Sequence, residues 1–156
     1  MPELAIEDRQ AINDLSYAYA FYCDTAKYAQ CAELFAEDAV FDETCLGIPR
    51  AEGLAAIRAT FAATDPRAVV YFIHYVTSIW IYEGGAGIAK AICYLRGEGA
   101  FSNGARPLVL GYYDDVYAKI DGRWLIKSRT LVPFAPPSGW TFPTAAGSTI
   151  GHSPVG

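Results

Sequence analysis

Two side chains in this sequence stand where acid–base chemistry could be carried out. His74 lies in the middle of the apolar run AVVYFIHYVTSIWIYEGG, and Asp24 directly follows the aromatic segment SYAYAFYC. A buried imidazole needs a partner for each ring nitrogen. A carboxylate at one nitrogen and a substrate C–H or O–H at the other would meet that need and create a general base. The residues alone leave two alternatives: a satisfied core histidine, and an aspartate that caps a helix predicted to begin near Ala26.

Arg129 is a third polar residue in an apolar setting. The residues that share one parity in the last predicted strand are Leu125, Lys127, Arg129 and Leu131. An arginine in this pattern lies at a sheet edge, extends its head group to water, or pairs with an anion in a cavity.

Aromatic residues accompany these candidates. Tyr17 and Tyr19 lie on the first predicted helix, and Tyr113 and Tyr117 lie on a later strand. Most tyrosines are expected to pack with a wet hydroxyl, and one or two could donate a hydrogen bond to a substrate oxygen. Phe72 shares strand parity with His74, and so do Val76 and Ser78, so these four are predicted to face one side of a sheet.

Composition excludes several classes of partner. The 156 residues predict one domain, and 12 Lys plus Arg against 17 Asp plus Glu argue against nucleic acid or an anionic membrane surface. The two histidines and four cysteines do not have zinc-site spacing, and no phosphate-binding glycine loop or G-x-S-x-G motif is present, so no metal and no cofactor is expected. No signal peptide or bilayer-length apolar run is visible, so we expect a reducing, cytoplasmic location.

The elements that must position these residues are helices in the first third and strands afterwards. Apolar spacing predicts helices over residues 6–22, 29–35 and 50–63, with a short strand at Val40 and Phe41. Aromatic and β-branched runs predict strands over residues 68–85, 87–97, 106–120 and 124–132. This order predicts an α+β fold, with N-terminal helices packed on a strongly curved antiparallel or mixed sheet around a conical cavity.

Three segments resemble the SnoaL-like members of the nuclear transport factor 2-like superfamily. The family's opening helices are similar to AINDLSYAYAFYCDTAKYAQCAELFAEDAVFD. Its H-x-V-T-N strand and hairpin resemble YFIHYVTSIWIYEGGAGIAKAICYL, and its closing hairpin resembles GYYDDVYAKIDGRWLIKSRTL. The segments occur in the family's order and cover most of residues 5–132, and we take residues 1–132 as the domain.

The resemblance is greatest to cofactor-free lyases of this group: scytalone dehydratase, bile-acid 7α-dehydratase and hexachlorocyclohexane dehydrochlorinase. It implies a catalytic pair of His74 and Asp24, a donor at Tyr19 and an arginine at Arg129 that holds an anionic or polar substrate group. Tyr19 stands where the bile-acid enzyme has tyrosine and the dehydrochlorinase has lysine, a difference that bears against a chloride leaving group. Arg129 stands five residues after Trp124, as in the dehydrochlorinase.

We therefore expect a lyase that acts on a bulky aromatic or alicyclic small molecule, by dehydration or a related elimination such as formaldehyde release. The residues expected to bind the substrate are Tyr113, Tyr17, Phe72 and Tyr117. The alternatives are an isomerase or cyclase that uses the same base, and a non-catalytic small subunit of a ring-hydroxylating dioxygenase.

The tail over residues 133–156 is rich in Pro, Gly and Ser yet carries Phe134, Trp140 and Phe142. Exposed aromatic residues of this kind mark contact sites. The tail is expected to cover the cavity mouth or a neighbouring subunit in a homo-oligomer, with a trimer favoured and a dimer as the alternative.

Overall fold

Three helices and a mixed six-stranded sheet form the main body of the protein. The structure, a computed structural model, describes residues 4–139, 141–142 and 150–151. The helices are α1 (Ile6–Asp24), α2 (Tyr28–Ala32) and α3 (Leu54–Ala62), and a 3-10 turn spans Thr44–Leu46. The strands are β1 (Phe35–Asp42), β2 (Ala51–Glu52), β3 (Val69–Gly85), β4 (Ile88–Phe101), β5 (Leu108–Ile120), β6 (Arg123–Pro133), β7 (Thr141–Phe142) and β8 (Ile150–Gly151).

The sheet order is β2-β1-β6-β5-β4-β3, and β7 pairs separately with β8. Strand β1 runs parallel to β6, and the other neighbours in the six-stranded sheet are antiparallel. The prediction of an α+β fold with helices on an antiparallel or mixed sheet is confirmed. Strand β3 lies at one edge of this sheet, so one side of its backbone has no strand partner among the described residues.

Helix α1 is fixed against the sheet at its beginning. Its buried residues, Ile12, Ser16, Tyr19 and Ala20, follow helical spacing and face the core. Asp8, in the first turn, accepts hydrogen bonds from Trp124 Nε1 and Lys119 Nζ, both at 2.7 Å. These bonds hold the start of α1 against β5 and β6, and the last residue of the helix, Asp24, contacts β3.

Several element boundaries differ from the sequence prediction. Residues 51–52, predicted as helix, form β2 because Ala51 pairs with Phe41 of β1 and Gly53, at φ +84°, turns the chain into α3. Strand β4 continues beyond Gly97, where the prediction ended it. A Cβ at Gly97 would lie 2.9 Å from Cζ of Phe72. Glycine therefore lets the strand pass beneath that ring.

A bulge changes which residues of β3 face inward. Ser78 has φ +51°, and the register with β4 shifts between Thr77 and Ile79. Ser78 is exposed rather than on the face of His74, which corrects the parity prediction, while Ile81 becomes buried. The inserted residue at a bulge reverses the alternation that follows it.

The described part of the tail lies on the outer face of the sheet. The Phe134 ring packs 5.6 Å from the rings of both Tyr94 and Tyr112, and Leu108 donates its N–H to the Ser138 carbonyl at 2.9 Å. Phe134 therefore does not cover the cavity. Trp140 and the side chain of Phe142 lie outside the described residues, so their predicted role stays a prediction. Within the described ranges, no helix has the length and apolar character needed to cross a bilayer.

Candidate active site

His74 and Asp24, fifty residues apart in sequence, are in direct contact. His74 Nδ1 lies 2.5 Å from Asp24 Oδ1, and the backbone N–H of His74 donates to both carboxylate oxygens at 3.1 Å. The two side chains retain 14% and 22% exposure, so the pair is partly buried yet accessible. Nδ1 is occupied by Asp24, which leaves Nε2 as the ring nitrogen available to a bound molecule.

The position of Asp24 excludes the interpretation that this residue caps the second helix. It is the last residue of α1, and the residue before α2 is Lys27, with no side-chain cap on that helix. A carboxylate at a helix C-terminus is opposed by the helix dipole, and the last turn of α1 holds no basic residue. Asp24 is instead stabilised by β3, because its carboxylate accepts a hydrogen bond from the backbone N–H of His74 at the edge of that strand.

A cavity of about 100 Å³ lies between the helices and the sheet beside this pair. Its lining residues are mostly apolar or aromatic: Tyr19, Cys23, Tyr28, Phe41, Glu43, Ile48, Thr60, Phe61, Thr64, Val69, Phe72, His74 and Phe101. A smaller cavity of about 20 Å³ adjoins it, and Glu43, Phe72 and His74 border both. An apolar wall with a few convergent polar groups is typical of a small-molecule site.

Glu43 is a functional candidate that the sequence analysis missed. It follows β1 directly, shares strand parity with the buried Phe41, and is 7% exposed. Its Oε1 accepts hydrogen bonds from the hydroxyls of Tyr19, at 3.4 Å, and Tyr113, at 3.3 Å. Burial raises the pKa of Glu43 above its ordinary value, although His74, Arg129 and the two hydroxyls act in the opposite direction. Strand parity was the available signal, because it places residue 43 inward.

Tyr19 and Tyr113 are neutral hydrogen-bond donors in this site. Burial and the nearby Glu43 raise the pKa of each phenol well above its ordinary value. Tyr19 borders the main cavity and Tyr113 borders the smaller one. Phe72 borders both, and its ring centre lies 4.8 Å from that of His74.

Arg129 lies behind the cavity rather than in it. It is fully buried and donates from Nε and Nη2 to Asp115 at 2.9 and 2.7 Å. Its guanidinium carbon lies 4.3 Å from the ring centres of both Tyr19 and Tyr113. Arg129 does not border either cavity, so the expectation that it holds a substrate group is not supported by this position. It positions the two tyrosines instead.

A bulge places Arg129 inside. Ile126 pairs with Tyr117 while Ser128 pairs with Val116, so Lys127 is the additional residue of β6. Lys127 is ion-paired with Asp38, and Arg129 turns inward opposite Asp115. Burial disfavours the guanidinium charge, but the Asp115 carboxylate outweighs it and holds the pKa of Arg129 well above its ordinary value.

The other two predicted substrate-binding residues lie away from the cavity. Tyr17 is 51% exposed, because a step of two residues along a helix turns it away from the inward-facing Tyr19. Tyr117 is fully buried, and its hydroxyl bonds Ser16 at 2.9 Å and Asp115 at 2.7 Å. It belongs to the network around Arg129. In the described part of the chain, no three His, Cys, Asp or Glu side chains group as metal ligands would.

Comparisons with known proteins agree with this architecture. A family model described as SnoaL-like domain matches residues 4–130. None of the curated proteins matches the chain. A solved structure from Novosphingobium aromaticivorans, described as an aromatic ring hydroxylase, is 29% identical with a TM-score of 0.79, covering 87% of this chain and 95% of that one.

Two further solved structures bear names of lyases. One, described as a scytalone dehydratase from Novosphingobium aromaticivorans DSM 12444, is 20% identical with a TM-score of 0.77 over 95% of this chain and 96% of that one. The other, a hexachlorocyclohexane dehydrochlorinase (LinA) of type 2, is 21% identical with a TM-score of 0.74 over 97% and 96%. At these identities the likeness establishes the fold, and the predicted resemblance to SnoaL-like proteins is confirmed.

Proposed function

The chain belongs to the SnoaL-like domain family, and we propose that it is a cofactor-independent lyase acting on a bulky aromatic or alicyclic small molecule. The observation that carries this proposal is the 2.5 Å contact between His74 Nδ1 and Asp24 Oδ1 at the wall of an aromatic-lined cavity. The names of the dehydratase and dehydrochlorinase relatives support elimination chemistry. The name of the aromatic ring hydroxylase relative supports an aromatic substrate.

His74 is the general base in this mechanism. Asp24 accepts the Nδ1 proton, which fixes the tautomer and stabilises the imidazolium that forms. Nε2 then removes a proton from a substrate carbon or hydroxyl as the leaving group departs. A positioned base of this kind contributes about 10²–10⁴-fold to the rate. The products are an unsaturated compound and water, or formaldehyde in a related elimination.

The cavity size limits how the substrate is seated. A cavity of about 150 Å³ lined by apolar side chains holds a benzene molecule, and the main cavity here is about 100 Å³. The cavity is smaller than that, so one ring of the substrate enters only in part beside Phe72 and His74, and the remainder of the molecule lies outside the cavity. Tyr19 supplies a neutral hydroxyl near the reacting end, because its raised pKa keeps it protonated.

A mass-based screen tests the proposal. Aromatic and alicyclic alcohols are incubated with the wild type, His74→Ala and Asp24→Asn, with Asp14→Asn as a matched control because Asp14 is an exposed aspartate on the same helix. We expect products lighter by water or formaldehyde from the wild type and the control only. Products of unchanged mass would indicate the isomerase or cyclase alternative. Co-purification with a large iron–sulfur subunit and no turnover would indicate the non-catalytic one.

We also propose a homo-oligomer, with a trimer favoured, in a reducing cytoplasmic setting. Large apolar side chains are exposed on the outer face of the sheet: Tyr75 (46%), Trp80 (64%), Tyr94 (47%) and Phe134 (59%). Exposed large apolar side chains on one face of a sheet are typical of a subunit interface. The four cysteines have free thiols, and a reducing compartment keeps thiols in this state. Analytical ultracentrifugation tests the oligomer: we expect an oligomeric mass for the wild type and a lower mass for Trp80→Asp. A monomeric mass for the wild type would contradict the proposal.

A further inference from the structure

We propose that Glu43 is the general acid of this site, delivering a proton to the departing oxygen of the substrate while His74 removes a proton from its carbon. This role rests on the proposed lyase function and adds a second proton-transfer group to it. It also defines the substrate class, because only a poor leaving group such as hydroxide needs to be protonated as it departs.

Glu43 is placed to contact the same molecule as His74. Both residues border the main cavity and the smaller one beside it, so a single ring between them can contact both. Glu43 retains 7% exposure, and α1 and β5 supply its partners Tyr19 and Tyr113. Hydroxyls from two different elements hold this carboxyl at the cavity wall, which is the positioning that proton transfer requires.

The hydrogen bonds determine which oxygen carries the proton. Both tyrosine hydroxyls converge on Oε1, and both phenols hold their protons because burial raises their pKa. Oε1 is therefore an acceptor from two donors. The proton of a neutral Glu43 then resides on Oε2, the oxygen that neither tyrosine uses.

The surroundings of Glu43 suit both of its protonation states. Burial raises its pKa and so favours the neutral acid before the reaction. The positive charges of Arg129 and of a protonated His74, together with the hydroxyls of Tyr19 and Tyr113, act in the opposite direction. These groups stabilise the carboxylate that remains after the proton has left.

The step balances as an elimination of water. His74 Nε2 takes the proton of a substrate C–H, the electrons of that bond form the carbon–carbon double bond, and the adjacent C–O bond breaks with its electron pair on oxygen. Glu43 Oε2 protonates that oxygen, and water leaves. The site then holds an imidazolium and a carboxylate, and one proton passed from His74 to Glu43 restores both.

A titration of the carboxyl group tests the acid without any substrate. Glu43 is identified in the ¹³C spectrum of protein labelled at glutamate side-chain carboxyls, as the resonance lost in Glu43→Gln. The exposed Glu37 of β1, lost in Glu37→Gln, is the reference. We expect the Glu43 carboxyl to release its proton at a higher pH than this exposed reference. A Glu43 that ionises together with Glu37 would overturn the proposal, whatever the enzyme does.

A pair of leaving groups tests the same proposal during turnover. The probes are 4-hydroxy-4-phenylbutan-2-one, which must lose hydroxide, and its 4-nitrophenyl ether, which loses a stable phenolate and gives the same enone. We expect Glu43→Gln to lower kcat about 10²–10⁴-fold on the alcohol and less than tenfold on the ether. An equal loss on both probes, or no loss on the alcohol, would count against the acid.

The two proposals fail in different ways. His74→Ala is expected to lose activity on both probes, and retention of activity in that variant removes the proposed lyase mechanism itself. If His74→Ala is inactive and Glu43→Gln keeps wild-type turnover, only the proposed role of Glu43 is rejected. If neither probe is turned over, the carboxyl titration alone decides for or against a neutral Glu43.

Discussion

Replacing Asp24 with asparagine removes a charge from the His74–Asp24 pair while keeping its shape. Opposite unit charges 2.5 Å apart attract by about 2 kcal/mol in bulk water and about 7 kcal/mol at an effective dielectric constant of 20. The pair is 14% and 22% exposed, so its environment lies between these limits. Since about 1.4 kcal/mol corresponds to a tenfold rate change, we expect kcat to fall about 10²–10⁴-fold.

The tautomer of His74 adds to this loss. In Asp24→Asn the amide can place either its oxygen or its NH₂ beside Nδ1, because the backbone N–H of His74 lies 3.1 Å from both carboxylate oxygens in the wild type. With the NH₂ beside Nδ1, that nitrogen must accept, so the ring proton moves to Nε2 and the base is lost. KM is expected to change little, because the cavity walls are untouched.

The assay is steady-state turnover of an alcohol identified by the mass screen, with thermal unfolding measured in parallel. Asp14→Asn, on the exposed side of the same helix, is expected to match the wild type in both measurements. Retention of wild-type kcat by Asp24→Asn, with an unchanged melting temperature, would refute the reasoning about the pair.

Three further predictions concern stability. Between the ordinary and the raised pKa of Glu43, the unfolded chain has released the proton that the folded chain retains, so wild-type stability falls as pH rises through this window. The melting temperature of Glu43→Gln is therefore expected to rise relative to that of the wild type as pH rises through this window. A difference between the two melting temperatures that does not change with pH would contradict this. Arg129→Leu leaves Asp115 buried without a counter-ion, which is expected to lower the free energy of unfolding by about 3–5 kcal/mol, as measured by urea unfolding. Adding Asp115→Leu should recover much of this loss. Gly97→Val directs a side chain at the Phe72 ring, and overpacking of about 1–3 kcal/mol is expected in the same assay.

The sequence singled out His74 and Asp24 by their settings, and the resemblance to SnoaL-like lyases implied that they pair. A charged residue after a long aromatic helix and an imidazole inside an apolar strand both need partners, and the helix-then-sheet order lets them meet. Their contact at 2.5 Å could not be derived, since it depends on α1 ending at the open edge of β3. The position of the end of α1 beside β3 is set by tertiary packing, which local sequence patterns do not encode.

Bulges account for much of what the sequence did not reveal. Strict alternation assigned Ser78 to the face of His74 and gave Lys127 the same face as Arg129. A bulge adds one residue to the strand at each of these places, and the side chains after it therefore face the opposite way. Helical geometry could have excluded Tyr17 once Tyr19 was placed inward. Glu43 was missed although it shares parity with Phe41, because an acidic residue at the end of a short predicted strand is more often solvated.

Chemical rescue of a cavity variant tests the central claim most directly. His74→Gly removes the imidazole beside Asp24, and free imidazole is then added during turnover of the identified alcohol. We expect kcat to fall at least about 10²-fold and to recover in proportion to the imidazole concentration, with the recovery lost when Asp24→Asn is added. Wild-type turnover by His74→Gly without imidazole would contradict a mechanism in which this ring removes the substrate proton.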